Sequence, residues 1–229
     1  MITGLIKNKV DKIWTDIWAG GITNPLTVIE QLTYLMFIRS LDEKELEAEE
    51  FEASFGETVD KIFPESEAGQ SMRWSKFKDK DTREIFDIMS QRIFPAIKNM
   101  KNGKLPDFAA DGSMIPVEGD GTEETAFTKY MESAMFMIPT PQVLDKIISG
   151  LDDLYENDIA DQDMQGDLYE YMLGKLSTAG QNGQFRTPRH IINMMVELLQ
   201  PTPDDLICDI KTPTLIQFNY STAAYLQTG

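Results

Sequence analysis

The chain has 229 residues, 41% hydrophobic and 26% charged, the composition of a soluble globular protein with one large or two small domains. Its single cysteine excludes an intrachain disulfide and favours a reducing cytoplasm. The net charge of −17 argues against DNA binding by the chain alone, because nonspecific affinity for phosphates comes from lysine and arginine.

Membrane insertion and export are not expected either. The apolar stretches are far shorter than the roughly 20 residues of a membrane-spanning helix. The N-terminus mixes glycine, lysine and asparagine, so it lacks the continuous apolar core of a signal peptide. We therefore expect a cytoplasmic protein that does not contact a membrane.

Two amphipathic helices are predicted at the beginning of the chain. Apolar residues recur every three or four positions over residues 5–18, which indicates a helix with one buried stripe. Gly20 and Gly21 end that helix, and Asn24 and Pro25 start the next with a capping side chain followed by proline. The second helix is predicted to run over residues 25–47 and to lie in the centre of a helical domain.

An acidic stretch follows between residues 42 and 67. The usual behaviour of charge runs predicts a solvated helix end followed by a loop. The alternative is a negatively charged face that docks a basic partner. Both interpretations remain open at the level of sequence.

The middle of the chain is predicted to be helical with long connections. Trp74 and Phe77 are expected to anchor short helices and loops over residues 51–80. Residues 101–122 are rich in glycine, aspartate and proline and predict a long connection. Helices are predicted over residues 82–100, 126–137 and 141–151.

The last third has the pattern of a second domain. The polar, acidic stretch that ends at residue 166 marks the boundary. We expect a helical domain over residues 1–152, an acidic linker over 153–166 and a second domain over 167–229. Within it the sequence predicts a helix over 167–176, a glycine-rich loop over 177–186, a helix over 189–199 and a buried strand over 204–209.

The segment richest in chemical information lies in that second domain. Residues 180–189 read Gly-Gln-Asn-Gly-Gln-Phe-Arg-Thr-Pro-Arg. A glycine-rich turn that ends in Phe-x-Thr-Pro at a helix start offers an aromatic face, a hydroxyl and free amides around one small volume. Such an arrangement is suited to a small polar ligand with a flat ring.

This segment resembles the block that opens the methyltransferase domain of modification subunits in type I restriction-modification systems, which are adenine-N6 DNA methyltransferases. The resemblance implies S-adenosylmethionine as cofactor, with Phe185, Thr187 and Pro188 beside it and Gln184 and Arg189 shaping the loop. It covers about residues 1–209 and is most specific over 166–200.

The resemblance sets the expected fold class. The chain should be mainly α, with a helical bundle domain followed by the start of an α/β methyltransferase fold. The strand ending at Asp209 matches the first strand of that fold, and Asp209 is the last of the expected cofactor residues.

The sequence departs from the family after this strand. Residues 209–215 read Asp-Ile-Lys-Thr-Pro-Thr-Leu where the family has a variant of Asp-Pro-Ala-Cys-Gly-Thr-Gly-Gly. Bulky side chains and a proline cannot follow the tight path that glycines allow. The family's catalytic Asn-Pro-Pro-Phe or Asn-Pro-Pro-Tyr is missing too, so we expect a truncated or altered chain without catalytic residues of its own and without methyl transfer in isolation.

Other conspicuous residues are expected to be structural. His190 is the only histidine, which argues against a metal cluster. Cys208 is expected to be a buried structural thiol. Trp14 and Trp18 are expected in a core or an interface, and packing is favoured for the tyrosines at 169 and 171.

Three functional hypotheses follow. The first is a modification-subunit portion that assembles with the specificity subunit and a second modification subunit, with the restriction subunit in the full complex and with DNA through the complex. The second is a stand-alone acidic adaptor or inhibitor that occupies the specificity subunit without methylating DNA. The third is an unrelated helical binding protein.

Overall fold

The structure is a computed structural model that describes residues 4–117, 131, 134–158, 162–178, 189–200, 206–207 and 216–217. The chain divides into two compact units, Met1–Ala179 and Gly180–Gly229. The helices among the described residues of the first unit include α1 Gly4–Ala19, α2 Pro25–Phe55, α3 Glu67–Gln70, α4 Trp74–Phe77, α5 Thr82–Ile88, α6 Phe94–Lys98, α7 Pro141–Asn157 and α8 Gln162–Thr178. Its strands are β1 Asp107–Phe108 and β2 Met114–Ile115.

Helix α2 is the central element of the first unit. Asn24 caps it as predicted, since its side chain accepts a hydrogen bond from the Leu26 amide at 2.9 Å. The helix continues to Phe55 rather than residue 47, and Gly56 ends it in a left-handed conformation with φ of 70°. The predicted end was wrong because the acidic residues and alanines beyond residue 47 are good helix formers. With 31 residues, α2 is about 46 Å long.

Helices α1 and α7 pack closely through small residues. The predicted stripe of α1 is confirmed, because Ile6, Val10, Ile13 and Ile17 are all buried. A Cβ atom at Gly150 of α7 would lie 2.7 Å from the Ile13 side chain, so glycine is what allows this approach. The tryptophans differ: Trp14 packs against the core, whereas Trp18 is 43% exposed and does not belong to it.

The helix predicted over residues 82–100 is divided by a π-helical turn at Met89–Ile93. Within it the Phe94 amide donates to the Met89 carbonyl, five residues earlier. Pro95 follows directly, and proline has no N–H for an α-helical bond to the carbonyl four residues before it. The proline therefore accounts for the place at which the α-helical pattern is interrupted.

The predicted connection over 101–122 contains a short hairpin. Strands β1 and β2 pair antiparallel, with Phe108 opposite Met114. Gly112 in the turn has a φ of 83°, a conformation that favours glycine. Strands of two residues are too short to produce the alternation by which a sequence reveals a strand.

Trp74 and Phe77 are buried, which confirms the prediction that they anchor the segment over residues 51–80.

The helix predicted over 126–137 is wrong for residues 134–137, which are not helical. Gln31 of α2 fixes them instead. Its side-chain amide donates to the Met135 carbonyl and accepts from the Met137 amide, both at 2.9 Å. Ile138 precedes a proline, which also disfavours helix at this point.

The acidic stretch is partly buried, so its interpretation as a solvated helix end was wrong for Asp42 and Glu45, which are 2% and 1% exposed. Asp42 accepts hydrogen bonds from Arg73 Nε and from the Ser75 amide, both at 2.7 Å. Glu45 accepts one from the Ile62 amide at 2.7 Å. A buried carboxylate needs such partners to offset its lost hydration.

The stretch predicted as an acidic linker is largely helical. Helix α7 continues to Asn157 and α8 begins at Gln162, earlier than predicted. Lys78, which follows α4, donates to Glu156 of this stretch at 2.9 Å and to Asp152 directly before it at 2.6 Å, so the stretch is tied to the end of α4. The domain limits at residues 152 and 166 stay a prediction.

The second unit contains α9 Arg189–Leu199, β3 Leu206–Ile207 and β4 Ile216–Gln217. The limits of α9 coincide with the predicted helix, while Thr187 and Pro188, which precede it, lie outside the described residues. Strand β3 falls within the predicted strand and pairs antiparallel with β4, with Leu206 opposite Gln217. The mainly α fold class is confirmed.

We expect Asp42→Ala to lower the free energy of unfolding by about 3 kcal/mol, because it leaves the buried Arg73 guanidinium with only part of its compensation. Urea denaturation at pH 7 measures this change. The matched control, Glu47→Ala on the exposed side of the same helix, should stay within about 0.5 kcal/mol of the original chain. Equal losses in the two variants would contradict the role assigned to the Asp42 to Arg73 contact.

Candidate functional site at the junction of helices α1 and α8

The predicted cofactor residues Gln184, Phe185, Thr187, Pro188 and Asp209 lie outside the described residues, so their roles stay predictions. The described structure contains the two helices on either side of the glycine-rich block. Helix α8 ends at Thr178 and α9 begins at Arg189. The described contacts nearest to the block are therefore those that attach α8, the helix that leads into it.

Apolar side chains anchor α8 in the core of the first unit. Leu168 and Met172 are each 1% exposed and belong to the main hydrophobic cluster. Their spacing of four residues places them on one face of the helix. Tyr171 and Leu173 are partly buried against the same cluster, whereas Tyr169 is 40% exposed. The packing predicted for the tyrosines is thus confirmed for Tyr171 and wrong for Tyr169.

A polar cluster joins α8 to α1 beside this apolar contact. We call the four residues Asp11, Trp14, Tyr171 and Lys175 the α1–α8 junction. The Tyr171 hydroxyl donates to Asp11 Oδ1 at 2.8 Å, and Lys175 Nζ lies 2.5 Å from the same oxygen. The Lys175 ammonium is also 5.3 Å from the centre of the Trp14 ring and 5.1 Å from that of Tyr171. Hydrogen bonding, charge and cation–π attraction therefore converge on one contact.

Ionisation in the junction reflects these contacts. Partial burial raises the pKa of Asp11, but the hydrogen bonds from Lys175 and Tyr171 outweigh it and hold the pKa below its usual value. Burial, together with the hydrogen bond to Asp11, raises the pKa of Tyr171 to about 12. Asp11 is therefore ionised and Tyr171 is neutral at physiological pH.

A second contact holds the chain just before α8. Lys9 of α1 forms ion pairs with Asp153 at 2.8 Å and with Asp158 at 2.5 Å, at the end of α7. The hydrogen bonds to these two carboxylates raise the pKa of Lys9. Helix α1 thus contacts both the end of α7 and the middle of α8, which fixes the orientation of α8 on the bundle.

Other features of the described residues offer no better candidate site. A cleft of about 810 Å³ lies between the β1–β2 hairpin and the π-helical turn, and acidic and basic side chains both line it. None of the predicted cofactor residues belongs to it. Among the described residues there is no group of three metal-ligating side chains, and no described helix is long and apolar enough to cross a membrane.

Comparisons with known proteins agree with this organisation. Residues 160–214 match the model of the N-6 DNA methylase family, and residues 6–151 match that of the HsdM N-terminal domain. The two matches therefore define the class of protein, in which a helical domain is followed by the start of an N-6 DNA methylase domain. The chain belongs to the HsdM N-terminal domain family.

One relative covers both parts. The type I restriction enzyme EcoEI methylase subunit of Escherichia coli is 23% identical over 211 residues, or 91% of this chain. The chain spans 38% of the length of that relative. No solved structure matches the chain. The match beginning at residue 160 includes α8, so the α1–α8 junction joins the two family regions.

Sequence reasoning did not find the junction. It singled out Trp14 and Tyr171 only as packing residues and did not connect them. The available signal was the placement of Asp11 and Trp14 three residues apart on α1, and of Tyr171 and Lys175 four apart on α8. Pairing these two faces needed the three-dimensional packing of helices 160 residues apart along the chain.

We expect Tyr171→Phe to lower the free energy of unfolding by about 1 kcal/mol, since it removes one hydrogen bond to a charged group that is only partly buried. Tyr169→Phe makes the same chemical change on an exposed side chain two residues away and should cost less than about 0.5 kcal/mol. Chemical denaturation of the two variants measures the difference. If the two losses are the same, the contact with Asp11 does not stabilise the junction.

The pKa of Tyr171 predicts a dependence on alkaline pH. A tyrosine with a raised pKa contributes its full stabilisation below about pH 10, where the unfolded phenol is protonated, and loses it as pH rises toward 12. The difference in free energy of unfolding between the original chain and Tyr171→Phe should therefore be constant up to about pH 10 and fall above it. Urea titrations between pH 8 and about pH 11.5 measure this difference. A constant difference over the whole range would contradict the assigned pKa.

Proposed function

We propose that the chain acts as part of the modification subunit of a type I restriction-modification methyltransferase, with its helical domain serving as the scaffold for assembly. The observation that carries this proposal is the attachment of α8. The helix that opens the N-6 DNA methylase match is buried through Leu168 and Met172 and joined to α1 through Asp11. The methyltransferase segment thereby starts from a fixed position on the helical domain.

The reaction of the family is methyl transfer from S-adenosylmethionine to the N6 atom of adenine. Phe185, Thr187 and Pro188, with Gln184 and Asp209, are the residues that would lie at the cofactor. These 229 residues do not contain Asn-Pro-Pro-Phe or Asn-Pro-Pro-Tyr, and residues 209–215 contain no glycine. We therefore infer that the chain by itself neither transfers a methyl group nor binds the cofactor tightly.

The expected partners follow from the same family. They are the specificity subunit and a second modification subunit, with the restriction subunit in the full complex and DNA contacted through the complex. The net charge of −17 supports this division, because a chain with this excess of carboxylates needs a basic partner to hold a phosphate backbone. The family matches favour this interpretation over a stand-alone adaptor, and they exclude an unrelated helical binding protein.

Coexpression with an affinity-tagged specificity subunit of the same system tests the assembly role. We expect the chain to co-purify with that subunit, and we expect the purified pair to leave target DNA unmethylated. Phe185→Ala is the matched control, since a change in the expected cofactor segment should leave co-purification unchanged. Failure to co-purify would contradict the assembly role, and methylation by the pair would contradict the inferred inactivity.

Calorimetric titration with S-adenosylmethionine tests the cofactor part separately. We expect no measurable heat, because the path between Asp209 and Leu215 lacks the glycines that let the backbone approach the cofactor. Heat that is present in the original chain and abolished by Phe185→Ala would overturn this expectation. It would mean that the Phe-x-Thr-Pro segment holds the cofactor without the glycine turn.

A further inference from the structure

The last turns of α2 expose an unusual set of side chains. We call Leu46, Glu47, Glu50, Phe51 and Phe55 the outer face of α2. The three apolar members are 42%, 43% and 69% exposed in chain order. At 100° per residue Glu47, Glu50, Phe51 and Phe55 lie on the half of the helix opposite the buried Asp42 and Glu45, and Leu46 lies beside this half, one turn after Asp42. The outer face is therefore a mixed apolar and acidic surface that the described part of the fold leaves uncovered.

The aromatic pair is the apolar centre of this face. The rings of Phe51 and Phe55, one helical turn apart, have centroids 4.7 Å apart. Phe55 leaves 69% and Phe51 43% of its surface exposed, so a substantial part of the free energy that their burial would contribute is not used in the folded chain. Aromatic side chains are instead enriched among the residues that carry most of the binding energy at protein interfaces.

The charges of the outer face are also not explained by folding. Glu49 and Glu52 have partners within the domain, namely Arg73 and Lys61. Among the contacts of the described residues, Glu47 and Glu50 have none. The last turn of α2, which follows Glu50, has no basic residue that could pair with these carboxylates.

We propose that the outer face of α2 docks a basic amphipathic segment of another protein, with Phe51 and Phe55 inserted among its apolar side chains and Glu47 and Glu50 paired with its lysines or arginines. Binding would give both carboxylates cationic partners and cover the aromatic pair. The arrangement of the face thus becomes favourable only in the complex. This inference goes beyond the proposed function and does not depend on it.

The same charges argue against other occupants. Nucleic acid and anionic lipid would bring negative charge against Glu47 and Glu50. A second copy related by two-fold symmetry would place the same acidic surface against itself, since symmetric dimers use one patch on both subunits. A basic protein segment is the occupant that satisfies both the apolar and the acidic side chains.

The test uses a defined probe, a fluorescein-labelled synthetic peptide of leucine and lysine that forms an amphipathic helix. Its affinity for the full chain is measured by fluorescence anisotropy at physiological salt. Phe51→Ser with Phe55→Ser should weaken binding by at least about tenfold. The matched control, Leu5→Ser with Leu26→Ser, removes two other exposed apolar side chains and should leave the affinity unchanged.

A second pair of variants isolates the charge contribution. Glu47→Gln with Glu50→Gln should weaken peptide binding several-fold and reduce its dependence on salt, because it removes the carboxylates that face the peptide. Glu65→Gln with Asp79→Asn removes the same number of charges from exposed positions elsewhere and should have a smaller effect. All these substitutions lie on exposed side chains, so thermal unfolding should show that each variant folds.

Equal affinity in all variants would overturn the proposal, because it would mean that the peptide binds the acidic surface without a preferred site. Absence of binding would overturn it as well. Sedimentation of the chain without peptide provides the remaining outcome. A concentration-dependent dimer that is lost in the Phe51→Ser and Phe55→Ser variant would assign the outer face to a second copy instead.

Discussion

The helical domain depends on the need of buried polar groups for hydrogen-bond partners. Helix α2 buries Gln31, Asp42 and Glu45 in the interior of the domain. A buried polar side chain without a hydrogen-bond partner lowers the free energy of unfolding by roughly 1–3 kcal/mol if it is neutral and by more if it is charged. Each of these side chains is therefore satisfied by a segment that lies later in the chain. The long helix thus fixes parts of the structure that have no regular secondary structure of their own.

The three contacts determine the course of the chain around α2. Glu45 holds the Ile62 amide and Asp42 holds Arg73, so the irregular stretch after α2 returns along the helix. Gln31 holds residues 135 and 137 and directs the chain into α7. Helix α7 then packs against α1 through Gly150, and α1 holds α8. A sequence of specific contacts thus leads from the central helix to the entry of the methyltransferase segment.

Local signals allowed much of this fold to be predicted. The apolar periodicity of α1 and the Asn24-Pro25 start of α2 depend on neighbouring residues, and the structure confirms both, as it confirms the predicted bounds of α9. The burial of Asp42 was not predictable, because its partner Arg73 lies 31 residues away and a charge run gives no sign of pairing. The same reason applies to residues 134–137, whose helical pattern yields to hydrogen bonds from Gln31. Tertiary contacts overrule local preference at both places.

The candidate site shows a similar division. The motif over residues 180–189 was recognisable because it is contiguous, and the family match over residues 160–214 agrees with that recognition. The roles of Phe185 and its neighbours stay predictions. The α1–α8 junction was not predicted because its residues lie on two helices that are in contact in the structure but far apart along the sequence of the first unit. A contiguous motif thus identified the family, whereas the contacts that position it appeared only in three dimensions.

Helix α8 belongs to the region that matches the methylase family, yet it is an integral part of the helical domain. Native-state hydrogen exchange of the full chain, followed by mass spectrometry of peptides from α1, α2, α7 and α8, tests it most directly. We expect the amides around Leu168 and Met172 to exchange as slowly as those of α1 and α7 and to open together with them. Rapid exchange throughout α8 while α1, α2 and α7 remain protected would contradict it.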